Sequence, residues 1–259
     1  MTSSPIIGRA IPRSDSRQKA SGQCYYTSDM RLPGMLYGRI LRSHLPHARI
    51  VRLDTTRAAR LSGVKAVITG RDTAGVGYGF AAGFMDKLAL AVDKVRYIGD
   101  DIAAVAAVDQ ETAEEAIQLI DLELDELPAV FDPQQAMLPG APQIHEHAEN
   151  NIGHKVMSDL GDVDEGFRRA YYVREDTFTT QPQAHAPMEP HVAIGQYDPA
   201  AGFTVWTSTQ TPFYAQEDLA NLLQVSRSRV RVIKPPVGGA FGGKSDGTDS
   251  LEFCAALLA

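Results

Sequence analysis

A glycine-rich stretch near the end of the chain has the composition of an anion-binding turn. Residues 238–245 read GGAFGGKS, with four glycines in the first six positions. Glycine leaves peptide N–H groups unshielded and permits positive φ, and a turn that wraps closely around an anion needs both properties. The same letters match G-x-x-x-x-G-K-S, the phosphate loop of nucleotide hydrolases. A phosphate ligand, another anionic ligand and a purely structural turn are therefore the three hypotheses.

The surroundings of the turn argue against a nucleotide. A nucleotide phosphate loop joins a buried strand directly to a helix, and an acid on a later strand helps to hold the magnesium. Here Pro235 and Pro236 interrupt the approach, and Gly247 lies in a polar stretch that delays the helix. Only 14 residues follow Ser245, so we expect no later strand to carry the acid. The bulky Phe241 also hinders close wrapping of a phosphate.

Composition and charge narrow the class of protein. The 259 residues are 44% hydrophobic and 22% charged, as in soluble globular proteins. The formal net charge of −7 provides no general attraction to nucleic acid or to an anionic membrane, and no apolar run is long enough for a membrane span. Cys24 and Cys254 are far apart and form no C-x-x-C motif. We therefore predict a cytoplasmic protein without disulfides or a cysteine metal site.

Three histidines lie in or beside a proline-rich segment. His145 and His147 flank Glu146, and His154 follows nearby. Histidine and carboxylate side chains can bind metals, but a metal site needs a rigid element that positions its ligands. Residues 132–151 contain three prolines and little periodicity. We therefore favour solvated loop histidines over a metal site.

The elements that would position these residues form two groups. The first is an α+β unit between residues 22 and 130. A capping box starting at Thr112 predicts its helix. Alternating or continuous apolar runs predict its strands, which are expected at 34–41, 48–53, 64–68, 102–108 and 121–124.

The second group follows the proline-rich segment, and its last expected strand leads into the glycine turn. Asp162 is expected to cap a short helix, and Thr211 with Pro212 is expected to start a longer one. After the turn, Asp249 and Glu252 have capping-box spacing, which predicts a final helix. Its expected buried stripe is Leu251, Cys254, Ala255 and Leu258, which needs a surface to pack on. Strands are expected at 172–180, 191–197, 203–209 and 229–233.

The order of these motifs resembles one enzyme family. Residues 208–210, a helix, the strand at 230–233 and the turn at 237–244 resemble the first pyranopterin-binding portion of a large subunit. This subunit belongs to the xanthine dehydrogenase and aldehyde oxidase family of molybdenum enzymes. Further similarity to the family's α/β hammerhead domain lies at 29–36, 42–50, 93–100 and 124–130, and similarity to the start of its cofactor-binding region lies at 161–163 and 185–190.

The resemblance implies an α+β fold with an amino-terminal α/β hammerhead domain and the beginning of a mixed α/β molybdopterin-binding domain. The expected parts are an arm at 1–21, the hammerhead domain at 22–131, a linker at 132–155 and an incomplete cofactor domain at 156–259. Family members continue for several hundred residues. The glutamate that serves as their general base is therefore expected outside this chain.

Site residues are also implied by the resemblance. The glutamine at position 210 would hydrogen-bond toward an oxygen ligand of molybdenum, and Phe241 would form an apolar wall near the substrate. Met188 and Glu189 would help to shape the pocket, with buried structural roles as the alternative. No residue of this chain is expected to bind the metal directly. The backbone beside the cofactor would come from Gly238, Gly239, Ala240, Phe241, Gly242 and Gly243.

The implied cofactor is molybdopterin, in its plain form or as the cytosine dinucleotide. Iron–sulfur clusters and FAD would be carried by partner chains, because this chain lacks the cysteines for a cluster. The implied partners are the carboxy-terminal remainder of the large subunit, a 2Fe-2S subunit and an FAD subunit, in a dimer of heterotrimers.

The implied reaction is hydroxylation of an electron-poor carbon of an N-heterocycle, aldehyde or related substrate, with oxygen from water. Ser245 stands where purine-oxidising members have a glutamate, which disfavours purines. The alternatives are a dehydroxylating enzyme of the 4-hydroxybenzoyl-CoA reductase type, a nucleotide-binding protein and a cofactor-free structural module.

Overall fold

The computed structural model describes residues 7–79, 85–245 and 249–259. They form two compact units: Gly38–Ala186, here the first unit, and Pro187–Ala259 with the described part of residues 7–37, here the second unit. The helices are α1 Ser16–Ala20, α2 Thr56–Arg60, α3 Gln110–Gln118, α4 Pro133–Ala136, α5 Val163–Arg169, α6 Pro212–Leu222 and α7 Ser250–Leu257. The strands are β1 Tyr37–Arg42, β2 Ala48–Asp54, β3 Val64–Thr69, β4 Lys94–Val95, β5 Asp101–Ala107, β6 Asp121–Glu126, β7 Ala193–Asp198, β8 Gly202–Thr207 and β9 Val230–Ile233.

Strand β5 is the centre of the first unit. It lies between β1 and β3 in a three-stranded sheet, and all seven of its residues are buried. This is the environment that a continuous apolar run predicts. Helices α2 and α3 contribute Ala58 and Ala116 to a core with Ala103 and Val105 of the strand. Small side chains allow the helices to approach the sheet closely.

A second sheet of the first unit has the order β4-β2-β6, with both outer strands antiparallel to β2. Ala48 of β2 lies opposite Val95 of β4, and both belong to a core with Ala91 and Ile102. Strand β4 therefore holds the neighbouring Lys94 at a fixed position, and this residue becomes important below.

Helix α3 begins earlier than the sequence predicted. Its N-cap is Asp109 rather than Thr112, and the Asp109 carboxylate accepts a hydrogen bond of 2.7 Å from the Thr112 N–H. Aspartate is the stronger N-cap, and its negative charge also interacts favourably with the helix dipole. Asp109 is therefore the N-cap, and Thr112, three positions later, lies within the helix.

The strand predicted over residues 172–180 was wrong. All nine of these residues are exposed and have no regular secondary structure. Branched and aromatic side chains favour a strand, but a strand is stable only when a neighbour satisfies its backbone hydrogen bonds. None of the described strands pairs with this segment.

The second unit is built on a sheet with the order β7-β8-β9. Strands β7 and β8 form the predicted hairpin, and β8 and β9 are parallel, so α6 is the crossover between them. Helix α7 packs on β7 and β8. Its capping box between Asp249 and Glu252 is confirmed.

The predicted stripe of α7 was only partly right. Cys254 is buried, but Leu251, Ala255 and Leu258 are half-buried, whereas Phe253 and Ala256 are fully buried. The buried residues lie on more than one face of the helix. A single i, i+3, i+4, i+7 apolar stripe predicts only one buried face, so it could not predict this burial. Within the described chain, none of the helices has the length and apolar content needed to cross a bilayer.

The sequence-based domain limits differ from the compact units. Residues 132–155 and 156–186 fall within the first unit, and the described part of residues 7–37 falls within the second. One reason is that the proline-rich segment is hydrogen-bonded to β4 through Lys94, which donates to the Ile144 carbonyl at 2.8 Å. The limits at 22–131, 132–155 and 156–259 therefore stay a prediction.

Candidate functional site

The glycine loop, residues 238–245, follows β9 in the second unit. Three of the four residues from 239 to 242 have positive φ: Gly239 at 102°, Phe241 at 53° and Gly242 at 91°. Two of these are glycines, which adopt such angles without steric cost. Phe241 is not, and a bulky residue at positive φ is strained. The backbone is thus held in an unusual path at the centre of the loop.

Glu189 holds the start of the loop. Its carboxylate oxygen Oε2 accepts a hydrogen bond of 2.8 Å from the Gly238 N–H, and its own N–H donates to the Gly238 carbonyl at 3.2 Å. The approach is close, because a Cβ on Gly238 would lie 2.7 Å from the Glu189 Cβ. Glycine at this position is therefore required by space.

Lys244 holds the end of the loop from inside the protein. Its ammonium group donates to the Glu189 carbonyl at 2.9 Å, to Glu189 Oε2 at 3.2 Å and to the Pro190 carbonyl at 3.4 Å. The Lys244 side chain is 1% exposed and that of Glu189 is 6% exposed. An ammonium group has three donors, and all three have partners here. Lys244 therefore cannot reach a nucleotide phosphate, and the phosphate-loop hypothesis was wrong for this structural reason.

The end of β8 brings Gln210 beside the loop. Thr207, Ser208 and Thr209 are buried, whereas Gln210 is exposed. The Gln210 N–H donates to the Lys244 carbonyl at 2.8 Å. Its side-chain amide makes no hydrogen bond to the part of the chain that the structure describes, and the amide is therefore available to an external group.

A run of peptide N–H groups in the loop is also available. Gly243 donates to the Ala240 carbonyl at 2.9 Å. The N–H groups of residues 239–242 have no acceptor among the described residues. Ala240 is buried, whereas Phe241 is 74% exposed. The loop thus presents several donors next to an exposed aromatic ring.

The remaining predicted residues have different environments. Met188 is 98% exposed, although it precedes the buried Glu189. Ser245 donates its hydroxyl to the Gly242 carbonyl at 2.5 Å, so this hydroxyl is turned back onto the loop. Because position 245 is a serine, it offers no carboxylate to a ligand.

Two features were not recognised from the sequence. Glu252, predicted only as a helix cap, is 2% exposed, and its carboxylate accepts a hydrogen bond of 2.7 Å from the Thr207 hydroxyl. Burial raises the pKa of Glu252 to about 7. The second feature is a cluster of Asp86, His145 and His147 in the first unit. The sequence singled out His145 and His147 but favoured solvated loop histidines, and it gave no signal that Asp86 would join them or that Glu252 would be buried, because these contacts are made between residues far apart in sequence.

Two family models match adjacent parts of the chain. Residues 21–128 match the a/b hammerhead domain of aldehyde oxidase and xanthine dehydrogenase, and residues 144–259 match the molybdopterin cofactor-binding domain. The chain belongs to the xanthine dehydrogenase and aldehyde oxidase family. The hammerhead and molybdopterin-binding expectations are thereby confirmed, and the α+β fold with them.

Individual members of this family are similar along nearly the whole chain. A probable xanthine dehydrogenase subunit of Bacillus subtilis is 39% identical over 247 residues, which are 95% of this chain and 32% of that protein. The nicotinate dehydrogenase large molybdopterin subunit of Eubacterium barkeri is 36% identical over 93% of this chain and 56% of its own length. The structure of reconstituted CO dehydrogenase from Oligotropha carboxidovorans matches with a TM-score of 0.83 at 30% identity, over 95% of this chain and 33% of that one.

The chain therefore spans between about a third and just over half of the length of these relatives. The roles of the individual loop residues stay predictions. The packing that holds the loop can be tested at the close approach between Gly238 and Glu189.

We expect Gly238→Ala to destabilise the second unit. The added Cβ must displace Glu189, which is also the partner of Lys244, so the unfolding free energy should fall by about 1–3 kcal/mol. Urea unfolding followed by fluorescence of Trp206, the chain's single tryptophan, measures this change. Gly166→Ala is the control, because a Cβ on Gly166 meets nothing within 4 Å. Equal stability of Gly238→Ala and the original protein would contradict the packing described here.

Proposed function

We propose that this chain is the cofactor-binding part of a molybdenum oxidoreductase. The proposed reaction hydroxylates an electron-poor carbon of an N-heterocycle, aldehyde or related substrate with oxygen from water. The observation that carries the proposal is the run of peptide N–H groups at residues 239–242, which lack acceptors within the described chain and lie beside the exposed amide of Gln210.

The chemistry of these donors fits a molybdopterin cofactor. The cofactor is anionic at its phosphate and dithiolene groups, and successive peptide N–H groups bind anionic atoms. The buried pair of Glu189 and Lys244 supports the loop from behind, so the donors are held in place before a ligand arrives. A glutamine amide can donate a hydrogen bond without changing its charge.

When bound, the molybdenum cofactor supplies oxygen transfer and two-electron redox chemistry. The N–H groups of residues 239–242 would hold its anionic atoms, with Gly238 and Gly243 shaping the ends of the loop, and the Gln210 amide would donate to an oxygen ligand of the metal. Phe241 provides an apolar wall that positions a flat substrate and excludes water. Met188 contributes to the same pocket from the surface, whereas Glu189 acts by holding the loop.

Electron-poor heterocycles are the proposed substrate class. The nicotinate dehydrogenase relative and the nicotine 6-hydroxylase of Paenarthrobacter nicotinovorans, which is 33% identical, are named for such compounds. Ser245 bonds back to Gly242 and supplies no carboxylate that could orient a purine. A non-purine heterocycle or an aldehyde therefore suits the loop better than xanthine.

The proposed electron path requires other chains. A 2Fe-2S cluster needs four ligands, but the chain has two cysteines, both buried and unbridged. We propose a 2Fe-2S subunit and an FAD subunit in a dimer of heterotrimers, with the general-base glutamate on the carboxy-terminal remainder of the large subunit. The proposed cofactor is molybdopterin, in its plain form or as the cytosine dinucleotide. The unbridged thiols support a cytoplasmic location.

Gln210→Ala in the complete enzyme tests the proposal. Loss of one positioned donor should lower kcat about a hundredfold while the molybdenum content stays unchanged. Turnover of N-heterocycles and aldehydes is measured in ¹⁸O-labelled water, and the label should enter the product. The matched control is Gln196→Ala, which removes an exposed amide from β7.

Two results would contradict this assignment. The first is an unchanged kcat in Gln210→Ala at full molybdenum content. The second is a product that gains no labelled oxygen, and loss of a hydroxyl from an aromatic thioester would instead indicate a dehydroxylating reductase.

A further inference from the structure

Three side chains of the first unit converge far along the chain from the glycine loop. Asp86 Oδ2 lies 3.4 Å from His145 Nδ1 and 3.7 Å from His147 Nε2. The three ligand-type atoms all lie within 4.8 Å of one another. We propose that Asp86, His145 and His147 bind one divalent transition-metal ion, with zinc as the ion that fits best.

The separations between the atoms favour zinc. Bonds of about 2.0–2.1 Å in a tetrahedral zinc site place neighbouring ligand atoms about 3.3–3.4 Å apart. An octahedral ion at similar bond lengths would need them at about 3.0 Å. The observed distances of 3.4 and 3.7 Å are closer to the tetrahedral value. The two histidine nitrogens are at most 4.8 Å apart, so we expect them to move closer together when the ion binds.

The segment that carries the histidines is held in place. Glu146 lies between them in sequence, and its carboxylate accepts hydrogen bonds from Lys94 at 2.5 Å and from Arg96 at 3.3 Å. Lys94 belongs to β4 and is 7% exposed, so the sheet fixes the position of the donor that Glu146 contacts. With Glu146 anchored, His145 and His147 are the side chains that meet Asp86.

A second anchor lies just beyond the histidines. The Asn151 side chain accepts from the Ile144 N–H at 2.9 Å and donates to the carbonyls of Ala136 and Pro142, both at 2.9 Å. These bonds join three parts of the proline-rich segment. The rigidity that the sequence did not reveal is therefore supplied by tertiary hydrogen bonds.

Charge and access also suit a cation. The two nearby cations, Lys94 and Arg96, are paired with Glu146, so their charges are partly neutralised. A cavity of about 450 Å³ is lined by Asp86, Arg96 and both histidines. The side chains of His145 and Asp86 are about one-third exposed, and that of His147 is 64% exposed. Three protein ligands and an open side leave a position for water, as in exchangeable zinc sites.

Zinc binding to the complete protein tests this inference. The protein is treated with EDTA, equilibrated by dialysis at fixed free Zn²⁺ from about 0.1 to 100 µM, and analysed for zinc by mass spectrometry. We expect one zinc per chain with saturable binding. Asp86→Asn and His147→Ala should each raise the dissociation constant at least about tenfold. His154→Ala, which removes an exposed histidine just beyond the proline-rich segment, should change it less than about twofold.

X-ray absorption at the zinc edge provides a readout that does not depend on variants. The zinc-loaded protein should show two imidazoles and further oxygen ligands at about 2.0 Å. Zinc that binds equally well to Asp86→Asn and His147→Ala would overturn the inference. A spectrum without imidazole, or no saturable zinc over the tested range, would do the same.

Discussion

Replacement of Lys244 by methionine will lower the unfolding free energy of the second unit by about 3–5 kcal/mol, the usual cost of removing one partner of a buried ion pair. The Glu189 carboxylate would remain buried. Among the described residues, the backbone N–H of Gly238 would be the one group still donating a hydrogen bond to it. Its other oxygen, Oε1, already has no partner among the described atoms. Methionine preserves much of the volume of lysine, so the loss is mainly one of charge compensation and hydrogen bonds.

A double variant distinguishes loss of charge compensation from simple misfolding. Lys244→Met combined with Glu189→Gln removes both charges, and it should recover at least about 1 kcal/mol relative to Lys244→Met alone. Lys234→Met is the control, because Lys234 is exposed near the end of β9 and should change stability by less than about 0.5 kcal/mol. Denaturant unfolding monitored at Trp206 reports all of these variants. A loss below about 1 kcal/mol for Lys244→Met would contradict a buried pair that holds the loop.

The stability of the second unit will decrease as pH rises from about 5 to 8, and Glu252 will account for most of this decrease. Burial raises the pKa of Glu252 to about 7 from its ordinary value of 4.5. The folded state therefore binds this proton more tightly than the unfolded state. Its contribution to stability is fully present below pH 4.5 and is lost as pH rises through about 7. The total is about 3 kcal/mol, because one pKa unit corresponds to about 1.4 kcal/mol.

Glu252→Gln isolates this contribution. Glutamine cannot ionise, so the slope of unfolding free energy against pH should flatten between about pH 5 and 8. At low pH the Glu252 carboxyl of the original protein is protonated and, like an amide, has one carbonyl oxygen and one donor group, so the two proteins should differ there by less than about 1 kcal/mol. Glu217→Gln removes an exposed carboxylate from α6 and should keep the original slope. Parallel pH profiles for Glu252→Gln and the original protein would rule out this role.

Elements specified by neighbouring residues could be predicted from the sequence. The apolar run of β5, the hairpin between β7 and β8, the Pro212 start of α6 and the capping box of α7 all depend on contacts within a few positions. The glycine loop could be predicted for the same reason, since its conformational freedom belongs to the glycines themselves. The motif order also indicated the family, which the matching domain models support.

Tertiary structure decided what those elements do. Lys244 is separated by 55 positions from Glu189, and only folding shows that it is a buried support rather than a phosphate ligand. Folding also gathers Asp86 with His145 and His147, leaves residues 172–180 without a partner strand and buries Glu252. The physical reason is common to all four: burial, charge pairing and strand pairing depend on residues distant in sequence, whereas propensity and capping depend on near neighbours.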